Sequence, residues 1–275
     1  MNAIHVVSPE RHARKRWQRY TSYAHTAADA VAHLVLPELS RACMAMPIGF
    51  MMAKGGMAPV AVQGLAPRTN LFVAEDGRWL ADYIPAAYRS YPFVLGATEQ
   101  GTPVLCVIED SGLLSDTIGE RFFDDSGEPA PFLNEVLDFM VQVALKRRAT
   151  QRICSALQKH DLVAPWPLEC KTDAGVHVVD GLYRIDRTKL NKLSAHAFQD
   201  VRQAGALPLV YCHLLSMQHM HTLVHLASTA REQAAGQGPL APGPAGDLDL
   251  EFLNNDGTLC FGEARSLMQG YEVHP

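Results

Sequence analysis

In the first half of the chain, apolar residues come in short runs that are separated by turn residues. The runs at 48–52 and 60–65 flank a Lys-Gly-Gly sequence at 54–56, and glycine supplies the backbone angles that a tight turn needs. A second turn sequence, Glu-Asp-Gly, lies at 75–77, and residues 104–108 form another strand-like run. Short strands with tight turns and little helix between them predict a mainly antiparallel sheet.

Three other segments have the marks of helices. The apolar spacing of residues 27–46 predicts an amphipathic helix with a break near Pro37. Residues 132–160 predict one long helix or two stacked helices. Further on, Ser194 is placed to cap a short helix that stops at Gly205. Helices packed on an antiparallel sheet make an α+β protein, which is the fold class that we expect.

Composition divides the chain into four parts. Residues 1–22 form a basic N-terminal arm, which is either a solvated segment or a contact for an acidic partner or a phosphate. Residues 23–231 form the folded α+β domain. Residues 232–246 read EQAAGQGPLAPGPAG, the composition of a flexible linker. Residues 247–275 form a short C-terminal tail of acidic and apolar residues, suited to adding a strand or docking on another surface.

The overall composition excludes several classes of protein. With 48% hydrophobic and 19% charged residues, the chain is not disordered as a whole. A net charge of −5 and a pI of about 6.2 do not favour nucleic acid as a partner. Six cysteines without a CxxC pair exclude a zinc ribbon or a thioredoxin-type site, and most of them read as buried thiols of a reducing compartment. No secretory signal is visible at the N-terminus, so we expect a cytoplasmic protein.

One segment is long enough to be mistaken for a membrane span. Residues 203–230 contain no Asp, Glu, Lys or Arg. They do contain four histidines, which are costly in hydrocarbon, and too few Leu, Ile and Val residues to offset that cost. We therefore expect a buried or half-buried helix of a soluble protein, and no transmembrane segment.

The histidines of this segment are the first chemical candidates. His221 and His225 are four residues apart, hence on one helical face, where two imidazoles can bind a transition metal together. His213 lies two turns earlier, about 12 Å along a helix axis, which is too far to join the same ion. In the alternative interpretation, one stripe of the helix faces the core and the other histidines lie on its polar surface. That stripe consists of Leu209, His213, Met217, Met220 and Val224.

Residues 70–93 are the second candidate, because they concentrate arginine, aspartate and aromatic side chains. Guanidinium groups stack on aromatic rings and pair with carboxylates, so this composition is typical of a recognition surface. In the alternative interpretation, the block is a structural hairpin whose rings fill the core and whose charges pair internally. The candidate partner-binding residues are Asp76, Arg78, Trp79, Tyr83, Arg89 and Tyr91.

The common catalytic and cofactor motifs are missing from the sequence. It has no GxSxG, P-loop, HExxH, EF-hand or GxGxxG pattern. We therefore assign no catalytic residue and expect no cofactor, and whether the protein is an enzyme stays open.

Several short blocks of residues occur in a fixed order from about Tyr23 to Phe261. They include Asn70-Leu71-Phe72, Asp76-Gly77-Arg78-Trp79, Tyr83-Ile84-Pro85-Ala86, Arg89-x-Tyr91-Pro92-Phe93, Gly181-Leu182-Tyr183 and His213-Leu214-Leu215-Ser216. In these blocks the sequence resembles the SapC-like family of bacterial proteins, which is named for S-layer protein secretion.

The resemblance implies a setting for the protein but no mechanism. The family name implies an accessory role in the export of surface proteins, within envelope or nutrient-uptake physiology. The partner is then a protein or peptide of the cell envelope. Two alternatives stay open: an enzyme, with or without a metal, acting on a peptide or a small aromatic metabolite, and a peripheral membrane component that the basic arm recruits.

Overall fold

The strands form four antiparallel sheets within residues 3–172 and 175–234, the part of the chain that the computed structural model describes. The strands are β1 (Ile4–Val6), β2 (Arg16–Trp17), β3 (Val31–His33), β4 (Ile48–Ala53), β5 (Gly56–Val62), β6 (Phe93–Ala97), β7 (Pro103–Ile108), β8 (Leu114–Ser115), β9 (Glu120–Arg121), β10 (Val163–Pro165), β11 (Leu168–Thr172), β12 (Gly175–Val179) and β13 (Leu182–Ile185).

The helices range from one turn to eight turns in length. No helix in the described ranges combines the length and the apolar content needed to cross a membrane. The helices are α1 (Pro9–His12), α2 (Leu39–Ala42), α3 (Pro131–Lys159), α4 (Arg187–Asn191), α5 (Ala195–Gln203), α6 (Leu207–Ser216) and α7 (Met220–Ala234).

The largest sheet has the strand order β10–β13–β4–β5–β3. Its centre is the hairpin of β4 and β5, which confirms the strand–turn–strand pattern predicted around 54–56. Gly55 and Gly56 turn the chain with φ angles of +95° and +123°, which glycine adopts without the clash of a Cβ atom. Phe50 and Val60 on the two strands are fully buried, so this hairpin lies in the core. The antiparallel sheets and packed helices confirm the α+β class.

The prediction of a helix at 27–46 is wrong. The segment instead forms β3, a 3₁₀ turn at Leu36–Glu38 and the single-turn helix α2. β3 pairs with β5 in the register Val31↔Val62, so the backbone groups that a helix would satisfy internally are satisfied by a neighbouring strand. The apolar residues are buried as expected, but strand pairing rather than their period decides the local structure.

Part of the basic arm predicted at 1–22 is built into the fold. β1 pairs with β7, and β2 is the central strand between β8 and β9. Trp17 on β2 is only 7% exposed and stacks on Phe132, with the ring centroids 4.9 Å apart. Arg19 is exposed. The interpretation as a solvated segment therefore fits Arg19 and does not fit Trp17.

The segment at 132–160 is one continuous helix, α3, which settles the alternative of two stacked helices. Ser194 caps α5 by accepting a hydrogen bond from the amide of Ala197, and Gly205 follows the helix with φ of +73°, both as predicted.

The histidine-rich segment forms two helices instead of one. α6 ends at Ser216, and a 3₁₀ turn at Met217–His219 leads into α7. α7 ends at Ala234, so most of the predicted linker and the whole predicted tail at 247–275 lie outside the described residues.

Candidate functional site

Asp76 and Arg78 lie in the turn at 74–78, and they pair with each other. The Arg78 Nε atom donates to the Asp76 carboxylate at 2.6 Å, and both side chains are more than half exposed. This hydrogen bond holds the pKa of the Asp76 carboxyl below its usual range. The turn contacts the N-terminal segment, because the Tyr23 amide donates to the Gly77 carbonyl oxygen at 2.8 Å. Arg78 is therefore a neutralised surface cation.

Trp79 and Tyr83 contribute to the fold behind this turn. The Trp79 indole N–H donates to the Tyr83 carbonyl oxygen at 2.8 Å. The Tyr83 hydroxyl donates to the Glu38 carboxylate at 2.7 Å, and burial followed by this hydrogen bond raises the pKa of Tyr83. Neither Trp79 nor Tyr83 lines a described cavity, so their contacts support the structural interpretation for this part of the block.

Glu38 is the acceptor around which the 70–93 block is organised. Its side chain is 6% exposed and accepts hydrogen bonds from three donors. One carboxylate oxygen accepts a hydrogen bond from the Val35 amide at 2.8 Å, and the other accepts hydrogen bonds from the Tyr83 hydroxyl and the Ala86 amide. Buried carboxylates need such partners, because an unpaired buried charge is costly. No local sequence pattern marks Glu38, because its partners lie up to 48 residues away.

Arg89 and Tyr91 are held in fixed positions by their neighbours. The Arg89 Nε and Nη2 atoms both donate to the Ile84 carbonyl oxygen, at 3.1 and 2.8 Å. The guanidinium carbon also lies 5.2 Å from the centroid of the Tyr83 ring, within cation–π range. The Tyr91 ring stacks on His25, with centroids 3.7 Å apart and planes 9° apart. Their positions are therefore set by the protein itself.

Arg89 and Tyr91 border a cavity of about 380 Å³, which we call the arginine–tyrosine pocket. The pocket has a polar rim and an apolar base. The rim residues are Arg19, Tyr20, Tyr23, Arg89, Ser90 and Tyr91, and the base residues are Trp17, Phe93 and Val136.

Half of the polar rim comes from outside the predicted block. Arg19, Tyr20 and Tyr23 belong to the N-terminal segment, and β2 brings them next to the end of the 70–93 block. A sequence signal for them exists, because residues 16–23 read RWQRYTSY, the same mixture of arginine and aromatic residues. Charge alone predicts a basic arm at 1–22, whereas the aromatic residues beside these arginines indicate a recognition surface.

The pocket is lined by donors and aromatic rings. Arg19 and Arg89 supply two positive charges, and none of the lining residues is acidic. Trp17 contributes its ring to the lining, since its indole N–H is buried and has almost no accessible surface.

The tyrosine hydroxyls stay protonated at physiological pH. Burial, and after it the neighbouring Tyr23, raises the pKa of Tyr20 to about 12. Burial, and after it Asp110, raises the pKa of Tyr91. These hydroxyls can therefore donate hydrogen bonds, and the pocket as a whole suits an anionic group attached to an apolar or aromatic body.

The histidines of the histidine-rich segment differ in burial: one is a buried structural residue and two others are exposed. His213 is buried, its Nδ1 donates to the Ile48 carbonyl oxygen at 2.7 Å, and its Nε2 accepts from the Ile185 amide at 3.2 Å. It thereby joins β4 to β13. His221 and His225 are exposed on α7. The described residues contain no group of three or more His, Cys, Asp or Glu side chains placed to hold a metal ion, and the pair stays a prediction.

Comparison with known proteins assigns the chain to a family. A family model described as SapC matches residues 7–223, which is more than half of the sequence. The chain belongs to the SapC family. The matched part of this SapC protein contains every residue of the arginine–tyrosine pocket. No curated protein and no solved structure matches the chain.

Proposed function

We propose that this SapC-family protein is an accessory factor of bacterial envelope physiology that acts by binding a protein or peptide partner. The arginine–tyrosine pocket is the proposed binding site. The observation that carries the proposal is the combination of Arg19, Arg89 and the aromatic rings of Trp17, Tyr20 and Tyr91 around one cavity. Arginine and aromatic residues dominate the binding energy of protein interfaces.

The size and chemistry of the pocket favour one anchoring side chain over a flat interface. A cavity of about 380 Å³ is within the range of pockets that enclose a small group and its polar head. An aromatic or long apolar side chain fits against Trp17 and Phe93, and an adjacent carboxylate fits against Arg19 and Arg89.

We also propose a cytoplasmic location and an envelope-related partner. The family supports the envelope setting. Cys43, Cys106, Cys154 and Cys212 are free thiols, which is the usual state in a reducing compartment.

The proposal is tested by a pull-down from the native host with two matched variants. Arg89→Ala removes a guanidinium from the pocket, whereas Arg78→Ala removes one from the same block that is paired with Asp76 and lies outside the pocket. Mass spectrometry should show that Arg89→Ala retains at least about fivefold less of the partner than wild type, because a hot-spot residue contributes more than ~1 kcal/mol. Equal retention by the two variants would overturn the proposal.

A further inference from the structure

A second cavity, of about 250 Å³, adjoins the arginine–tyrosine pocket. Ser90 lines both cavities, so they meet at this residue. Ala87 and Leu95 form one wall of the second cavity, while Met140 and Val143 of α3 form the other. The second cavity is therefore mainly apolar.

One face of α3 forms a wall of both cavities. Val136 borders the first cavity, and Met140, Val143 and Arg147 border the second. These residues follow one another at intervals of four, three and four, so they lie along a single stripe of the helix. From Val136 to Arg147 the stripe is about 16 Å long at a rise of ~1.5 Å per residue. We call the two cavities together the α3 groove.

Each end of the α3 groove is lined by a cation. Arg19 and Arg89 lie at one end, and Arg147 lies at the other. None of the residues that line the two cavities is acidic. Guanidinium groups pair with carboxylates, so anionic groups of a bound molecule are the natural partners at both ends.

Strand β6 contributes side chains to the groove. In the described part of the chain, β6 is the outer strand of the order β1–β7–β6. Phe93 and Leu95 are alternate residues of β6, hence on one face, and they line the first and the second cavity in turn.

We infer that the α3 groove binds an extended peptide of five residues that carries a carboxylate at each end and apolar side chains between them, because the first, third and fifth side chains of an extended chain share one face. This inference rests on the proposed function and names the class of partner. About 16 Å corresponds to roughly five residues of extended chain at ~3.3 Å per residue. The two carboxylates meet the arginines, and the central apolar side chain lies in the cavities between them.

The test is isothermal titration calorimetry of the full chain with acetylated, amidated pentapeptides at low salt. The first peptide is Glu-Leu-Phe-Leu-Glu, two others carry Gln in place of one Glu, and the last carries Gln at both ends. We expect the first peptide to bind at least about tenfold more tightly than either single-Gln peptide, since each carboxylate loses a charge-assisted pair when it is replaced.

Arg147→Ala and Arg148→Ala are the matched variants for this test. Arg147 lines the groove, whereas Arg148 is the next residue of α3, exposed and outside both cavities. Arg147→Ala should lower the affinity for the first peptide to the wild-type affinity for the single-Gln peptide that lacks the carboxylate facing Arg147. The affinity for this single-Gln peptide should be the same in wild type and variant, because it has no carboxylate there to lose. Arg148→Ala should change neither value.

Three results would overturn the inference: equal binding of all four peptides, no binding of any, or equal effects of the two variants. Retention of phosphatidylglycerol vesicles that depends on Arg147, without peptide binding, would assign the groove to a membrane surface and would also overturn it. The proposed function is judged separately, because the host pull-down depends on Arg89 and needs no assumption about the peptide.

Discussion

The Tyr83 hydroxyl donates a hydrogen bond of 2.7 Å to the Glu38 carboxylate, across 45 positions of sequence. The same carboxylate accepts the amides of Val35 and Ala86. This contact fixes the 70–93 block on the turn that precedes α2. It also separates the block into a structural part around Tyr83 and a part around Arg89 that faces the pocket.

Glu38→Gln should destabilise the protein by about 2–4 kcal/mol. A hydrogen bond to a charged group contributes about 1.5–3 kcal/mol, and a glutamine would turn an NH₂ group towards donors that need an acceptor. Urea unfolding followed by circular dichroism measures the effect. Asp82→Asn, a neighbouring exposed acid, is the control and should unfold at the wild-type urea concentration. A Glu38→Gln protein as stable as this control would show that the buried carboxylate is not a structural centre.

Arg78→Ala and Arg89→Ala should both fold. Arg78 is 74% exposed and pairs with Asp76, so the unfolding midpoint of the Arg78→Ala variant should match that of wild type within error. The Arg89→Ala variant loses two hydrogen bonds to the Ile84 carbonyl oxygen at an exposed position, which should lower the free energy of unfolding by about 1 kcal/mol or less. Differential scanning calorimetry checks both values. If Arg89→Ala unfolded like a core substitution, its role in partner binding would have to be withdrawn.

His213→Ala should be among the most damaging single substitutions, at about 3–5 kcal/mol. It removes a buried ring between β4 and β13, and it leaves the Ile48 carbonyl oxygen and the Ile185 amide without their partner. Guanidinium unfolding is the measurement. His221→Ala on the exposed face of α7 serves as the matched control and should have little effect. Similar losses for the two variants would contradict the division of the histidine segment into buried and exposed parts.

The stability of the protein should decrease as the pH falls from about 7 to 5. Burial lowers the pKa of His12, His25 and His33 below the ordinary value of 6.5. Below pH 6.5 the unfolded chain therefore binds more protons than the folded chain, and the free energy of unfolding falls with pH. Each histidine contributes at most about 1.4 kcal/mol per pH unit. Carboxylates with lowered pKa, such as Asp76, lose their contribution only below about pH 4.5.

Urea titrations at pH 7.5, 6.5, 5.5 and 5.0 measure this dependence. His25→Phe keeps a ring against Tyr91 and removes one titrating group, so its curve should be flatter than that of wild type. His221→Gln, at an exposed position, should leave the slope unchanged. A wild-type stability that does not change over this range would rule out the account of the buried histidines.

The sequence patterns correctly predicted the elements of the fold that depend on a few neighbouring residues. The hairpin of β4 and β5, the long helix α3 and the Ser194 cap all follow from period and turn chemistry over a few residues. The helix prediction for 27–46 failed because the apolar residues of this segment fit a helical period as well as they fit a strand. Only the pairing of β3 with β5 decides between the two.

The candidate site was only half predictable for a similar reason. Arg89 and Tyr91 stand out in a dense block, but Arg19 and Tyr20 reach them through the pairing of β2 with β8 and β9. Long-range pairing of this kind leaves no trace in local spacing. Trp79 and Tyr83 have the same composition signal as Arg89, and only their contacts show that they are structural.

The most direct test of the proposed recognition site is photo-crosslinking in the native host from inside and outside the pocket. A small diazirine-bearing residue in place of Ser90 lies between the two cavities, and the same residue in place of Asp76 lies on the exposed turn. The account predicts an envelope protein crosslinked from Ser90 but not from Asp76, and loss of that product when Arg89→Ala is added. Equal crosslinking from both positions, or a Ser90 product that Arg89→Ala leaves intact, would contradict it.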